Sequence, residues 1–319
     1  MRVKRDRKSP RIFSVVRSVT KSYYEVAVST AVSDVVSDLD TAVDLESLAV
    51  RAATSPFHFH RIFRGMVGET PLGLRRRLLM ERAAWHLSRT DRSILDIALG
   101  AGFETHEAFT RAFRRAFSTT PSEYRHRYEP RIQLAAICGL HYEHDGIDPS
   151  GVILAKGESD MDIEIVDRPE LRLGTVRHVG PYNQVTDAFE RLGEVEGVSE
   201  LFQHPGVAML AIYHDDPEST PQDELRADAA VVVSESTPMP EGLVEQRIPG
   251  GTFARYEHIG PYEELGDVWA RLLGQWLPDS GYSIGPGGTY EIYRNDMREV
   301  PTEELRTDLY VAIEPTPVV

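Results

Sequence analysis

Shifted by 80 residues against itself, the C-terminal half of the 319-residue sequence repeats without a gap. His178-Val179-Gly180-Pro181-Tyr182 returns as His258-Ile259-Gly260-Pro261-Tyr262, and Ile212-Tyr213 returns as Ile292-Tyr293. Pro221, Glu224-Leu225-Arg226 and Asp228 return as Pro301, Glu304-Leu305-Arg306 and Asp308. One constant offset through helices, strands and turns implies two copies of one supersecondary unit facing each other. A pseudo-twofold interface of that kind is a natural place for a pocket.

The N-terminal half echoes itself at an offset of about 50, with Phe59, Arg61, Phe63, Arg64 and Thr70-Pro71 returning as Phe109, Arg111, Phe113, Arg114 and Thr120-Pro121. The chain is thus two duplications in tandem, and its length suffices for two domains that each bury a core. The boundaries read as a basic leader over 1–21, expected to be disordered, a helical domain over 22–130, a linker over 131–159 and an α+β domain over 160–319. The single cysteine, Cys138, excludes an intrachain disulfide framework. No run of apolar residues is long enough to span a bilayer. These features place the chain in the cytoplasm, with no membrane partner.

The net charge of −15 hides a split. Residues 1–130 carry 22 Lys/Arg against 15 Asp/Glu, a net +7, and the remainder carries 13 against 35, a net −22. The positive part suits a polyanion, whereas the negative part repels one and attracts cations.

Tyr24, Val28, Val32, Val35 and Leu39 recur three and four apart, which predicts an amphipathic helix over 22–43. Two short-helix, turn, longer-helix units follow. The first runs from Leu45 to Ala52, turns at Ala53-Thr54-Ser55 and continues from Pro56 to Val67, with Ser55 as N-cap and Gly68 closing the helix. The second runs from Ile94 to Ala101, turns at Gly102-Phe103-Glu104 and continues, capped by Thr105, to Phe117. A connecting helix over 71–87 joins them, and Thr120-Pro121-Ser122-Glu123 reads as a capping box. Phe59, Ile62, Phe63 and Met66 form one apolar stripe, as do Phe109, Ala112, Phe113 and Ala116. The opposite faces are expected to expose Phe57, His60, Arg61 and Arg64 in the first unit and His106, Glu107, Arg111 and Arg114 in the second. Arginine there suits bidentate contact with guanine or phosphate. Two recognition helices roughly 34 Å apart would engage successive major-groove faces.

Residues 23–128 resemble the DNA-binding domain of the AraC/XylS family, through Gly102-Phe103-Glu104, Phe109-Thr110-Arg111-Ala112-Phe113 and Thr120-Pro121-Ser122-Glu123-Tyr124-Arg125. The resemblance implies double-stranded DNA as partner, with base contacts from Phe57, His60 and Arg61 and from His106, Glu107 and Arg111. It departs from the family pattern at Ala53, where the family usually has glycine.

Each C-terminal repeat reads as strand, strand, helix, strand, strand. In the first these are 163–166, 172–179, helix 181–192, 207–214 and 229–233. In the second they are 244–248, 252–259, helix 261–276, 289–294 and 308–313. Pro181 and Pro261 are expected at the first helical position. There is no Gly-x-Ser-x-Gly, Walker loop or His/Cys cluster with metal spacing, so no catalytic group and no cofactor is expected. His141 and His144 beside Glu143 are a thin basis for a metal site.

Glu291 stands out because its equivalent in the first repeat is Ala211. Facing solvent it is an ordinary strand carboxylate, but facing inward it requires a positive partner. A ligand cation could supply one, with Trp269, Trp276, Tyr290, Tyr293 and Tyr310 as candidate cation–π walls. Residues 160–314 resemble the GyrI-like small-molecule-binding domain through the paired His-x-Gly-Pro-Tyr and Glu-Leu-Arg-x-Asp elements. That resemblance implies twofold-related β-α-β-β units, a groove between them and an acidic residue, here Glu291, that receives lipophilic cations.

The expected fold is an all-α double helix-turn-helix domain followed by an α+β domain of two such repeats. The expected function is a transcriptional regulator whose C-terminal domain takes a small-molecule effector, with RNA polymerase as a further partner. The alternatives are a GyrI-like hydrolase of reactive small molecules, using Glu291 as general base, and a protein-interaction module.

Overall fold

The computed structural model describes residues 10–126, 133–143, 146–155, 160–202, 207–215, 217 and 220–316, with backbone only for 10–19 and 22. The chain forms two compact units, one within residues 23–156 and one within 157–319 that also includes the start of the chain through residue 22.

Helix α1 (Pro10–Ser37) begins earlier than its apolar spacing predicts, so the leader is helical from Pro10 onward rather than disordered. Within its own unit, Thr20 is buried and its hydroxyl bonds Thr316 Oγ1 at 2.9 Å, while Lys21 pairs with Asp279 at 2.9 Å. Residues 1–9 lie outside the described residues. Tyr24, Val28, Val32, Val35 and Leu39 are all buried, as their periodicity requires.

The helices that follow are α2 (Leu45–Arg51), α3 (Pro56–Val67), α4 (Pro71–Arg89), α5 (Ile94–Gly100), α6 (His106–Phe117) and α7 (Pro121–Arg125). Asp44, Ser55, Thr70, Ser93, Thr105 and Thr120 each accept a backbone N–H from the first turn of the helix they precede. The reciprocal box of Thr120 with Glu123 is complete. Each such cap stabilises its helix by about 1 kcal/mol.

The two helix-turn-helix turns are superimposable in their bonding. Ala53 N–H bonds Val50 O and Thr54 N–H bonds Ala49 O, just as Gly102 N–H bonds Leu99 O and Phe103 N–H bonds Ala98 O. Both turns need a left-handed residue, and Gly102 adopts φ 80° without strain while Ala53 is held at φ 46°.

Within the span expected to be a linker, residues 133–143 and 146–155 belong to the first unit. Their anchor is Glu81 of α4, fully buried, whose carboxylate accepts Leu134 N–H at 2.8 Å, Tyr142 N–H at 2.9 Å, His141 Nδ1 at 3.0 Å and Arg77 Nη1 at 3.2 Å. A buried carboxylate is tolerated only with such a full set of donors. The Gly and Pro punctuation around them marked turns in a packed strap, whose own Cys138 and Leu140 are buried. His141 is thereby committed to Glu81, and no metal-holding group occurs among the described residues. His144 lies outside them.

The second unit holds β1 (Glu164–Arg168), β2 (Leu171–Val179), α8 (Thr186–Glu194), α9 (Val198–Leu201), β3 (Met209–Tyr213), β4 (Arg226–Val232), β5 (Val244–Ile248), β6 (Gly251–Ile259), α10 (Leu265–Arg271), α11 (Leu277–Ser280), β7 (Tyr282–Tyr293) and β8 (Arg306–Pro315). The predicted helix starts at Pro181 and Pro261 are replaced by single 3-10 turns, with α8 and α10 following, and a π-helical turn (Leu272–Trp276) joins α10 to α11.

The strands form one antiparallel sheet of order β1-β6-β8-β7-β3-β4-β2-β5. Exchanging β1 with β5, β2 with β6, β3 with β7 and β4 with β8 gives the same order read backwards. The register repeats at the sequence offset: Val179 faces Arg226 as Ile259 faces Arg306, and Met209 faces Val231 as Thr289 faces Val311. Each copy lends its first strand to the other, β1 to β6 and β5 to β2. At the centre, β3 pairs with β7 and Ala211 faces Glu291. The pseudo-twofold axis therefore passes between these two strands.

Ala229, Val231 and Val233 pack with Ala188, Leu192 and Leu201 of α8 and α9, which makes this the helix-covered face. Leu171, Leu173, Leu210, Phe253, Tyr290, Ile292, Tyr310 and Ala312 form a separate core on the other face. Buried there is Asp228, bonded by Arg177, His214 and Gln246. Burial alone would push its carboxyl up, but the hydrogen bonds from His214, Arg177 and Gln246 together outweigh it and hold the group down at about 2.

Ala53→Gly relieves a left-handed alanine at an exposed site and raises stability by about 0.5–1 kcal/mol in denaturant titration, an unchanged midpoint contradicting the strain. Because the Asp228 carboxyl is held below its unfolded value, its stabilisation is present at neutral pH and lost as pH falls from about 4 towards 2. On the order of 2 kcal/mol of acid sensitivity should therefore disappear in Asp228→Asn, measured as unfolding free energy against pH.

Candidate functional site

The two recognition helices differ in what they present. On α6, whose first turn is fixed by Thr105 Oγ1 accepting Ala108 N–H at 3.1 Å, the side chains of His106, Glu107, Arg111 and Arg114 are all exposed. Phe109 and Phe113 anchor the reverse side in a core with Tyr124, Ala84 and Leu87. Arg111 makes no ion pair or hydrogen bond among the described residues.

On α3, the expected open face is largely closed. Phe57 and His60 are each only 6 % exposed, and Arg61 and Arg64 are half-buried. The apolar stripe is wider than Phe59, Ile62, Phe63 and Met66, because Val67, Phe57 and His60 join it and burial wraps most of the helix. The Arg61 guanidinium lies 3.9 Å from the centre of the Phe57 ring, an i,i+4 stack that covers the phenyl group. His58, bonded to Ser55 Oγ at 3.0 Å, is pushed down to about 4 by burial and by the nearby Arg61 charge. It is therefore neutral at physiological pH.

In the second unit Glu291 lies on the helix-covered side of β7 and is 2 % exposed. Trp269, projecting from α10, donates its indole N–H to Glu291 Oε1 at 2.6 Å, and Tyr293 donates its hydroxyl to Oε2 at 2.8 Å. The Tyr293 and Tyr213 oxygens are 3.1 Å apart. A phenol has one proton, and that of Tyr293 goes to the carboxylate, so Tyr213 is the donor between them. A chain of donors thus crosses the axis from Tyr213 through Tyr293 to Glu291. Burial, reinforced by the adjacent Glu291 and Tyr213, pushes the Tyr293 hydroxyl well above its usual range and keeps it protonated.

More rings surround this centre. Tyr262 meets Tyr293 edge-on at 5.3 Å, Phe189 meets the same ring at 5.5 Å, and Tyr182 meets Tyr213 at 4.8 Å. Tyr262 is half-buried, and its hydroxyl is pushed up by burial and by the charges of Asp296 and Glu291. The result is a carboxylate at the base of an aromatic cluster whose rim, at Tyr182, Tyr213, Tyr262, Tyr293 and Phe189, remains partly exposed. Negative charge below and negative ring faces around it favour a cation.

Glu291, Tyr293 and Trp269 come together, whereas the three other candidates, Tyr290, Tyr310 and Trp276, do not join them. Tyr310 pairs with Tyr290 across β7·β8 and stacks on it at 4.8 Å, which puts it on the opposite sheet face, under Arg168. Residues at even positions of these two strands share that face, and only the register reveals it. Trp276 sits half-buried in the π-helical turn and makes no described contact with Glu291. Sequence reading missed Tyr182, Tyr213, Tyr262 and Phe189. The signal was present in the paired Gly-Pro-Tyr and Ile-Tyr elements, which the repeat brings to both sides of the axis.

Comparison with known proteins agrees with both halves. Residues 161–314 match the GyrI-like small molecule binding domain, and residues 48–127 match a helix-turn-helix domain. The chain is 31 % identical over 159 residues to a DNA gyrase inhibitor of Yersinia enterocolitica, covering 98 % of that protein and 48 % of this chain. It is 36 % identical over 132 residues to DNA gyrase inhibitor 2 of Dickeya dadantii, covering 82 % of that protein and 40 % of this chain. The other half is 35 % identical over 107 residues to the regulatory protein SoxS of Salmonella typhimurium, covering 97 % of that protein and 33 % of this chain. The chain belongs to the family of AraC-type helix-turn-helix regulators that carry a C-terminal GyrI-like small-molecule-binding domain.

Proposed function

We propose that this regulator senses a lipophilic organic cation through Glu291 and adjusts transcription through α3 and α6, acting on RNA polymerase at the promoters it binds. The observation that carries the reading is the buried Glu291 carboxylate on the pseudo-twofold axis, held by Trp269 and Tyr293 and walled by aromatic rings. A cation placed there gains both the carboxylate charge and the ring faces, in surroundings of low dielectric. It would take over Glu291 Oε1 from the indole N–H, so binding and the position of α10 are linked. We read the site as one for binding: its carboxylate is held by Trp269 and Tyr293 and surrounded by aromatic rings, an arrangement suited to holding a cation.

Isothermal titration with tetraphenylphosphonium, an aromatic cation without hydrogen-bonding groups, tests the effector half. Glu291→Gln keeps the shape and removes the charge, and it should weaken binding by about tenfold or more, equivalent to about 1.4 kcal/mol. Equal affinity for both proteins would contradict the reading. For the DNA half, Arg111→Ala should cost about 1–3 kcal/mol on the cognate site and relax base preference there, measured by fluorescence anisotropy on sites obtained by selection from random DNA. An equal loss on random DNA would reduce Arg111 to a phosphate contact.

A further inference from the structure

Three twofold-related positions near Glu291 gain a polar group in the second copy, while Ala229 beside Ala211 returns as the apolar Leu309 beside Glu291. Ala211 is replaced in the second copy by Glu291, Phe189 by Trp269 and Ala227 by Thr307. All three replacements add a polar group, and all three lie on one side of the axis. Glu291 and Trp269 are bonded to each other. Thr307 is different: it is fully buried, and its Oγ1 meets no hydrogen-bond partner among the described residues.

Thr307 faces Tyr293 across β7·β8 and His258 across β6·β8, so it shares the helix-covered face with Tyr293 and Glu291. Glu291 itself faces Leu309, which makes Thr307 its diagonal neighbour at roughly 7–8 Å. Both polar neighbours across the strands are committed elsewhere, Tyr293 to Glu291 and His258 Nε2 to the Pro261 carbonyl. An unmade hydrogen bond at a buried hydroxyl costs about 1–3 kcal/mol, a cost that valine, nearly identical in shape, would avoid. A shape requirement therefore explains a β-branched residue at 307 but not its oxygen.

We propose that Thr307 Oγ1 is a hydrogen-bonding subsite of the effector pocket, so that the preferred effector is an unsymmetrical cation with a hydroxyl or similar polar group a few bonds from its positive centre. This inference rests on Glu291 as the cation's counter-charge. The cation is held at Glu291, and its polar substituent reaches across β7 to Thr307.

The test pairs two probes on the full-length chain, tetraphenylphosphonium and (4-hydroxyphenyl)triphenylphosphonium, which differ by one hydroxyl. Wild type should prefer the hydroxylated probe by about three- to tenfold, a typical net hydrogen-bond contribution. Thr307→Val should abolish that preference, leave tetraphenylphosphonium affinity unchanged and raise the stability of the ligand-free protein, while Thr307→Ser should keep the preference. Loss of affinity for both probes in Thr307→Val, or an intact preference in it, overturns the subsite. Failure of wild type to bind either probe, or indifference of both to Glu291→Gln, overturns the cation reading and the subsite with it.

Discussion

The central strand pair β3·β7 sets the terms for the rest of the second unit. Because the pseudo-twofold axis runs between these strands, the residue at its centre faces its own equivalent, and Ala211 lies opposite Glu291. Two glutamates at this position would put like charges directly across from each other in a buried place, which is destabilising. A second carboxylate at the axis would have to share a proton with the first, so a single one opposite alanine keeps its full charge. The aromatic pairs Tyr213/Tyr293 and Tyr182/Tyr262 stay symmetric around it because they carry no charge.

The same logic of duplication with a difference shapes the first unit. Its two turns share one bonding pattern, yet one uses Gly102 and the other bears a left-handed Ala53. The longer helices of its two helix-turn-helix units share their Phe-x-x-x-Phe anchors, yet α6 presents five polar side chains to solvent and α3 presents half-buried arginines. Glu81 adds a further constraint, since its buried carboxylate draws the backbone of Leu134 and Tyr142 onto α4 and fixes the chain just beyond the DNA-binding helices. The helix that sets the spacing of α3 and α6 is therefore also the helix that anchors the strap.

Much of this was legible in residue order. The 80-residue offset anticipated the mirrored strand register, cap residues anticipated the starts of α3, α6 and α7, and the mismatch of Glu291 with Ala211 marked the axis position. What stayed hidden depends on three-dimensional register or burial. Tyr310 looked equivalent to Tyr293 as an aromatic near Glu291, but only the pairing with Tyr290 shows that it faces away. The Gly-Pro-Tyr elements read as turn punctuation, although their tyrosines wall the site. Phe57 and His60 lay on the predicted outer face of α3, and helical periodicity alone does not reveal how wide a buried stripe becomes. Residues 133–155 looked like a linker because Gly and Pro mark turns equally well in packed and unpacked chain.

Displacement of the Trp269 indole from Glu291 by a bound cation, as proposed above, can be watched directly at the indole N–H. The chain has three tryptophans, so its ¹⁵N-indole spectrum contains three N–H signals, and the one missing in Trp269→Phe identifies the reporter. On saturation with tetraphenylphosphonium, this signal should move strongly upfield as its short hydrogen bond to the carboxylate is lost. A Trp269 signal that stays in place while the cation is demonstrably bound would contradict the displacement.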